Sequence, residues 1–531
     1  MQSNEYIEPS EKNKRSVEMM SKVFRFSLIL TFLINSTHSL KILGLFPHPG
    51  LSHFHFFHPI MRGLADAGHD VTVLSHFPDK NAPPNYKDLT LNGADSLTDS
   101  VDLQWFSYRP FYQPFLEFEK LAQWGYEACE LTLNSTDVQN LINTNVKFDV
   151  LLVEQFNSDC MMGLAWKLKA PVIGLSSCVL MPWHYDRFGI PWILSYITAQ
   201  PLGSTDNMTY TERLLNFFYM NLYKIWYHYI SLRQIDTLTR KYLRDENMPH
   251  LSELVKETSL MFLNTHYSLE GSRPNPPSII EIGGIHITEP KPLDPELESF
   301  LNSAEDGVIY VSWGSLIRAA TLPEDKRNHL LKAFGSFKQK VLWKFENETL
   351  ANQPSNVLIR KWMPQKDILC HPNVRVFVSH GGLMGSSEAA YCGVPAVLTP
   401  MYGDQFHNSM AVKARGMGFI VQYEDITEKS VKAAIAEALG TDAQQNAKTV
   451  SYSYRNRPMS PLKTAIWWTE YVAAMHGAPL MKSHSVNMSA FTYYSFDVYA
   501  TIAVILLPIV YLWVYIVRKC FNTSNLKSKK D

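Results

Sequence analysis

Between Trp362 and Gln405 the chain spaces an indole, an amide, an imidazole followed by two glycines, a carboxylate and a closing Asp-Gln pair: WMPQKDILCHPNVRVFVSHGGLMGSSEAAYCGVPAVLTPMYGDQ. These are parts suited to holding a nucleotide sugar. The Trp362 indole offers a face for a base, and the Gln365 amide can hydrogen-bond to the base edge. His380-Gly381-Gly382 lies between the apolar run Val374–Ser379 and the helix-like Leu383–Cys392. The glycines, with Gly385 just beyond, therefore occupy a strand-to-helix turn, where free N–H groups and the helix dipole attract phosphate. Glu388, farther along that helix, suits ribose hydroxyls, and Asp404 and Gln405 suit the hydroxyls of a hexose.

The pattern resembles the donor-binding signature of the UDP-glycosyltransferases, the UDP-glucuronosyl- and glucosyltransferases of animals and plants, with details nearest the insect members. The resemblance rests on Trp362, Pro364, Gln365, His371-Pro372, His380-Gly381-Gly382, Glu388, Gly393-Val394-Pro395, Pro400 and Asp404-Gln405, all in order. A lone HGG is a weak signal, whereas this ordered set is specific. A strand–turn–helix packed on its glycines needs neither the Trp, the Glu nor the Asp-Gln pair. Val311-Ser312-Trp313-Gly314-Ser315 matches the family's turn after the first strand of its second half. That match implies a phosphate contact for Ser315, with capping of the next segment as its alternative role. Met384 stands where some vertebrate members carry an asparagine near the diphosphate, so that contact is not carried over.

The resemblance also implies a base. HPGLSHFH, His48 to His55, follows the short apolar run Leu40–Phe46, and the family's catalytic histidine lies in a Ser-His pattern matched by Ser52-His53. An imidazole with its ordinary pKa of about 6.5 suits removal of a hydroxyl proton near neutral pH. His48, His55 and His58 are nearby competitors. Such a base needs a carboxylate on its other ring nitrogen. Many members place an aspartate after the strand matched by Phe148–Val153; here that position is Glu154, and an aspartate follows at Asp159. Both remain candidates, Asp159 being equally placed to serve as an N-cap.

The elements that must position these groups read as two α/β halves. Leu40–Phe46, helix-like Phe56–Ala67 and Val71–Ser75 form a βαβ unit, and Phe148–Val153 and Pro171–Leu175 flank a helix-like Cys160–Leu168. Strands are expected again at Val308–Ser312, Val341–Lys344, Val357–Arg360, Val374–Ser379 and Ala396–Pro400. The expected architecture is α/β: two facing Rossmann-like domains of GT-B type plus a C-terminal transmembrane helix. The expected parts are a signal region over 1–39, an acceptor-binding domain over 40–272, a Pro-rich linker over 273–280, a UDP-sugar-binding domain over 281–480, a membrane span over 498–517 and a cytosolic basic tail over 518–531. Met181–Ile230 is rich in Trp, Tyr and Phe. Core packing accounts for most of these, and the remainder suit an apolar acceptor pocket or a membrane-facing surface.

With 531 residues, 46% hydrophobic and 12% aromatic, the chain can bury sizeable cores. Its net charge of −1, with no Lys/Arg cluster, gives no sign of a nucleic-acid partner. Val23–Ile34 resembles the apolar stretch of a signal peptide, with a cleavage site near Thr37-His38-Ser39; an uncleaved anchor is the alternative, and Met19 or Met20 can equally be the start. Val498–Val517 carries no charge over the roughly 20 residues that a bilayer requires. Arg518 and Lys519, then Lys527, Lys529 and Lys530, place the tail in the cytosol by the positive-inside rule. The tail also resembles the lysine-based retrieval signal of endoplasmic-reticulum membrane proteins. Asn134, Asn207, Asn347 and Asn487 are glycosylation acceptors by sequence. Five of the six cysteines precede the span, an odd number without disulfide-framework spacing, and none belongs to a CxxC or metal cluster.

The expected reaction is inverting transfer of a hexose, glucose before glucuronate, from a UDP-sugar to a hydroxyl of a small lipophilic acceptor. His380, Ser315 and the N–H groups around Gly381–Gly385 take the charge-stabilising role that a divalent metal plays in other transferases, so neither metal nor cofactor is expected. A silent nucleotide-sugar or lipophile-binding protein is the reading from a different class. Oligomeric state stays open, a homo-oligomer among the options.

Overall fold

The computed structural model describes residues 39–93, 103, 112–144, 146–347 and 349–527. The expected signal stretch and start sites lie outside the described residues. Strands β1 (Lys41–Leu45), β2 (Asp70–Ser75), β3 (Tyr86–Thr90), β4 (Val150–Glu154), β5 (Val172–Ser176), β6 (Thr258–Leu263) and β7 (Ile279–Glu281) form one sheet, in the order β3-β2-β1-β4-β5-β6-β7. Strands β8 (Val308–Ser312), β9 (Lys340–Lys344), β10 (Val357–Arg360), β11 (Val374–Ser379), β12 (Ala396–Leu398) and β13 (Gly418–Ile420) form the other, in the order β10-β9-β8-β11-β12-β13.

Every neighbouring pair is parallel. The sequence accounts for this: VLLVE in β4, VIGLS in β5 and VIYVS in β8 are buried end to end, as strands covered on both faces must be. In each sheet the strand order reverses once, between β1 and β4 and between β8 and β11. Such switch points open a crevice at the carboxyl ends of the strands, where doubly wound sheets take their ligands.

Three boundaries differ from the sequence expectation. The helix after β1 runs from Leu51 to Asp66 and starts earlier than Phe56, because Gly50 adopts an extended cap conformation and its carbonyl accepts the His53 N–H at 3.1 Å. His53 thus sits in a first helical turn rather than in a loop. The expected linker 273–280 runs into β7, which belongs to the first sheet. Finally, helix Pro461–Ala474, expected within the second half, returns to the first. Leu462 lies over Gly63, where an added Cβ would come within 2.4 Å of Leu462 Cδ1. Ala465, Val472 and Ala473 join the core of Phe56, Ile60 and Leu64.

The cysteines also pair, contrary to the reading from their spacing. Cys129–Cys160 ties helix Gln113–Asn134 to helix Cys160–Leu168, and Cys370–Cys392 joins the ends of helices Gln365–Leu369 and Leu383–Cys392, while Cys178 is free and buried. These contacts arise from tertiary proximity between helices, which linear spacing does not encode. The aromatic segment divides: Trp183, Tyr219 and Tyr227 are core, but Phe217 and Phe218 are 52% and 61% exposed. Phe496–Lys519 is one apolar helix, of mean hydropathy 2.4 and unburied by the rest of the chain, long enough to cross a membrane.

Candidate active site

The first switch point assembles an imidazole and a carboxylate. His53 follows β1, Glu154 ends β4, and these two strands are hydrogen-bonded neighbours. His53 Nδ1 lies 2.8 Å from Glu154 Oε1, and Glu154 Oε2 accepts the His48 backbone N–H at 3.4 Å. Phe156 and His48 pack against the His53 ring, with centroids 4.6 and 4.5 Å away. Burial pushes Glu154 up to about 7 and His53 down to about 4. When ionised Glu154 accepts the Nδ1–H, Nε2 is left as the basic nitrogen, the arrangement a general base requires.

Asp159 does not join this pair. Its carboxylate accepts Arg187 Nη1 at 2.9 Å and also the Tyr227 hydroxyl, with all three residues buried. It makes no cap hydrogen bond to its own helix either. A buried guanidinium needs a carboxylate more than a helix N-terminus does, so Asp159 holds the packing behind the site. Of the competing histidines, His55 faces solvent and His58 binds Asp79 at 3.0 Å.

The second switch point gathers the glycines. His380 ends the β11 turn, and Gly314 of the β8 turn lies beneath it, where an added Cβ would come within 2.9 Å of His380 Cε1. Gly381 has φ +83°, and a Cβ there would meet Ser409 Oγ at 2.2 Å; one at Gly382 would meet His380 Nε2 at 2.4 Å. Gly381 requires glycine, and a side chain at Gly382 would push the His380 ring aside. Gly382 is the N-cap of helix Leu383–Cys392 and makes no side-chain cap, so the first-turn N–H groups remain available to an anion. Gly385 is less crowded than Gly381 and Gly382, a Cβ there being 3.3 Å from Phe377 Cε1. Ser315 is exposed in the β8 turn. The next helical segment is capped at Arg318, which removes the capping alternative. Burial lowers His380 to about 4, the nearby Lys344 charge acting in the same direction, so a neutral ring faces the phosphate cradle.

The surroundings of Trp362, Gln365 and Glu388 are equally specific. Trp362 is 70% exposed, a large indole face without cover. Gln365 Nε2 donates to Glu388 Oε2 at 2.7 Å, and Cys370–Cys392 clamps the ends of the two helices that carry them. Burial raises Glu388 to about 7. After β12, Asn408 donates to Asp404 Oδ2 at 2.9 Å, and burial raises Asp404. Gln405 departs from its expected role as an acceptor. Its Oε1 already accepts the Met401 and Tyr402 N–H groups at 2.9 and 3.4 Å, so only its amide N–H groups are left for a sugar.

Two residues, Lys344 and Glu117, escaped the sequence reading, and His48 was read only as a rival base. Lys344 ends β9 and biases His380. His48 secures Glu154 through its backbone. Glu117, from the first half, accepts the Gly403 N–H at 3.2 Å and holds the loop before Asp404. Only Lys344 carried a signal, its place at the carboxyl end of a strand beside the switch point.

A family model described as "UDP-glucoronosyl and UDP-glucosyl transferase" matches residues 46–531. UDP-glycosyltransferase UGT5 of Dactylopius coccus is 36% identical over 527 residues, spanning 96% of this chain and 99% of the relative. UDP-glucosyltransferase 2 of the same organism is 33% identical, over 96% and 99%. UDP-glucuronosyltransferase 1A3 of Rattus norvegicus is 26% identical, over 92% and 94%. Among solved structures, a UDP-glucosyltransferase from Polygonum tinctorium capable of glucosylating indoxyl superposes with a TM-score of 0.54 at 16% identity, over 83% of this chain and 99% of the other. That likeness shows the fold, two parallel sheets in the GT-B arrangement.

Proposed function

This chain belongs to the UDP-glucuronosyl and UDP-glucosyl transferase family, and we propose that it moves glucose from UDP-glucose to a hydroxyl of a small lipophilic acceptor, inverting the configuration at C1. The observation that carries the proposal is the His53–Glu154 pair at one switch point, with the glycine cradle, Glu388 and Trp362 at the other. His53 Nε2 takes the acceptor proton as the hydroxyl oxygen attacks C1. The bond from C1 to the diphosphate oxygen breaks on the opposite face, and UDP leaves. His380, Ser315 and the N–H groups at Gly381–Gly385 stabilise the negative charge that develops there, without metal. Trp362 and Gln365 take the uracil, Glu388 the ribose, and Asp404 the hexose hydroxyls.

Two carboxylates stand at the sugar end, Asp404 and Glu117, both acting on the Tyr402 phenol. Such a site favours a neutral hexose over a glucuronate, whose carboxylate would be repelled. The two disulfides suit an oxidising compartment, and the basic flank after Phe496–Lys519 suits a cytosolic tail. We therefore place the enzyme in the endoplasmic reticulum membrane, single-pass, with its catalytic halves in the lumen.

The test uses microsomes expressing the full chain, a panel of phenols and labelled UDP-glucose, with UDP-glucuronate as competitor. β-Glucoside formation that rises on detergent permeabilisation and survives EDTA is the expected result. Product from UDP-glucuronate alone overturns the donor assignment. No product from either donor, with UDP binding intact, turns the reading to a silent binding protein.

A further inference from the structure

Helix Tyr210–Trp226 is apolar on both faces. Its buried stripe packs on helix Gln113–Asn134, with Phe115 stacked on Tyr219 at 4.5 Å and Phe118 on Tyr223 at 4.3 Å. On the opposite face, Leu214, Leu215, Phe217, Phe218, Leu222 and Ile225 are 37–61% exposed. A surface helix ordinarily places charges there, and a contiguous apolar patch of this kind marks a contact with lipid or protein. The helix is secured at its start by a reciprocal Thr209–Glu212 capping box, so the exposed stripe belongs to a well-formed element.

What covers it is indicated by where the chain enters its C-terminal helix. Lys224 Nζ, near the end of helix Tyr210–Trp226, donates to Asp186 Oδ1 at 2.7 Å. The Asp186 charge also acts on the phenols of Tyr493 and Tyr494, which immediately precede Phe496–Lys519. Ser485, just upstream, donates to the Gly189 carbonyl at 3.2 Å. The apolar helix therefore emerges beside the end of the apolar stripe.

We propose that the exposed face of helix Tyr210–Trp226 lies in the interfacial layer of the same bilayer that Phe496–Lys519 crosses, so that the globular part is seated on lipid by a second contact. The proposal rests on reading Phe496–Lys519 as a membrane span. Lys224 at the rim suits a headgroup phosphate, while the Phe and Leu side chains suit the acyl boundary.

The full chain carrying Cys520→Ser is placed in phosphatidylcholine nanodiscs containing nitroxide lipids labelled both at the headgroup and at mid-chain. One cysteine at a time bears a fluorophore, at Phe218→Cys, at Ile505→Cys in the C-terminal helix, or at Lys432→Cys on helix Glu428–Ala438. Severalfold stronger quenching at 218 and 505 than at 432 is expected. Quenching at 505 with 218 no stronger than 432 overturns the docking and leaves the span intact; a 218–218 disulfide between unlabelled chains would then assign the face to a second copy. No quenching at 505 overturns the span, and the docking with it.

Discussion

Asp404 and His53 stand close enough for each to bias the other's ionisation, although one follows β12 of the second sheet and the other follows β1 of the first. The Asp404 charge favours protonation of the imidazole, and the imidazole favours ionisation of the carboxylate, both against burial. A hexose bound at Asp404, as proposed, would therefore lie beside the proposed base. The two halves thus approach each other at His53 and Asp404. Glu117 reinforces this from the first half by holding Gly403.

The two site histidines should separate cleanly. His53→Ala removes the proposed base and should lower kcat on the order of 10²–10⁴, with UDP affinity near that of the unaltered chain. His380→Ala removes a phosphate contact and should weaken UDP binding as well as turnover. Calorimetry of UDP binding on both variants checks this. Loss of UDP binding in His53→Ala with retention in His380→Ala would reverse the two assignments.

Activity should fall as pH drops through about 7, the value to which burial raises Glu154. One proton added to the pair sits either on Glu154, whose O–H then donates to Nδ1 and shifts the ring proton to Nε2, or on the ring itself. In both cases the basic Nε2 lone pair is lost. The kcat profile at saturating donor should therefore rise to a plateau above about 7, and Glu154→Gln should remove that limb along with most of the rate. A limb near 4, where burial places His53, would show instead that Glu154 does not govern the base.

UDP affinity should show its own pH dependence. Glu388, the proposed ribose contact, accepts hydroxyls most strongly when ionised, and burial raises it to about 7. Binding should strengthen as pH rises through that value, with proton release detectable by calorimetry in buffers of different ionisation enthalpy. Glu388→Gln should flatten the dependence. An unchanged slope in that variant would show that another group carries the proton.

Asp159 should prove structural. Asp159→Asn leaves the Arg187 guanidinium buried with a weakened partner, a change that typically costs about 3–5 kcal/mol when one member of such a pair is lost. Urea unfolding should register that loss, while the pH limb near 7 stays in place. A displaced pH limb at preserved stability would instead put Asp159 in contact with the base.

The second sheet was more legible than the first. Its functional groups fall in one continuous stretch, because β11, the glycine turn, the helix and β12 are consecutive in the chain, and their chemistry reads as an ordered motif. The first-half site joins His53 to Glu154 across 101 residues. Sequence alone left Glu154 and Asp159 open, since both flank the same turn and only packing shows that Arg187 claims Asp159. β6, TSLMFL, is an apolar run with strand character in its own sequence, whereas β3 and β7 are edge strands whose polar residues break the pattern. The return of helix Pro461–Ala474 to the first half depends on Gly63 meeting Leu462, a contact with no local signature.

The two disulfides should differ in what their loss does. Cys129–Cys160 closes a separation of 31 residues and Cys370–Cys392 one of 22, so by the chain-entropy argument each stabilises by roughly 3–4 kcal/mol. Paired Cys→Ser variants should both lower the unfolding midpoint. Cys129–Cys160 joins helices that carry no proposed donor contact, so its loss should leave UDP affinity unchanged. Cys370–Cys392 fixes the helices of Gln365 and Glu388 against each other, holding their 2.7 Å hydrogen bond in register. Its loss should therefore weaken UDP binding at temperatures well below unfolding, and uridine binding in parallel, because those two side chains are the proposed contacts of uracil and ribose. Equal UDP affinities in the two variants would mean that the helices hold their register without the bridge, and that its contribution is to stability alone.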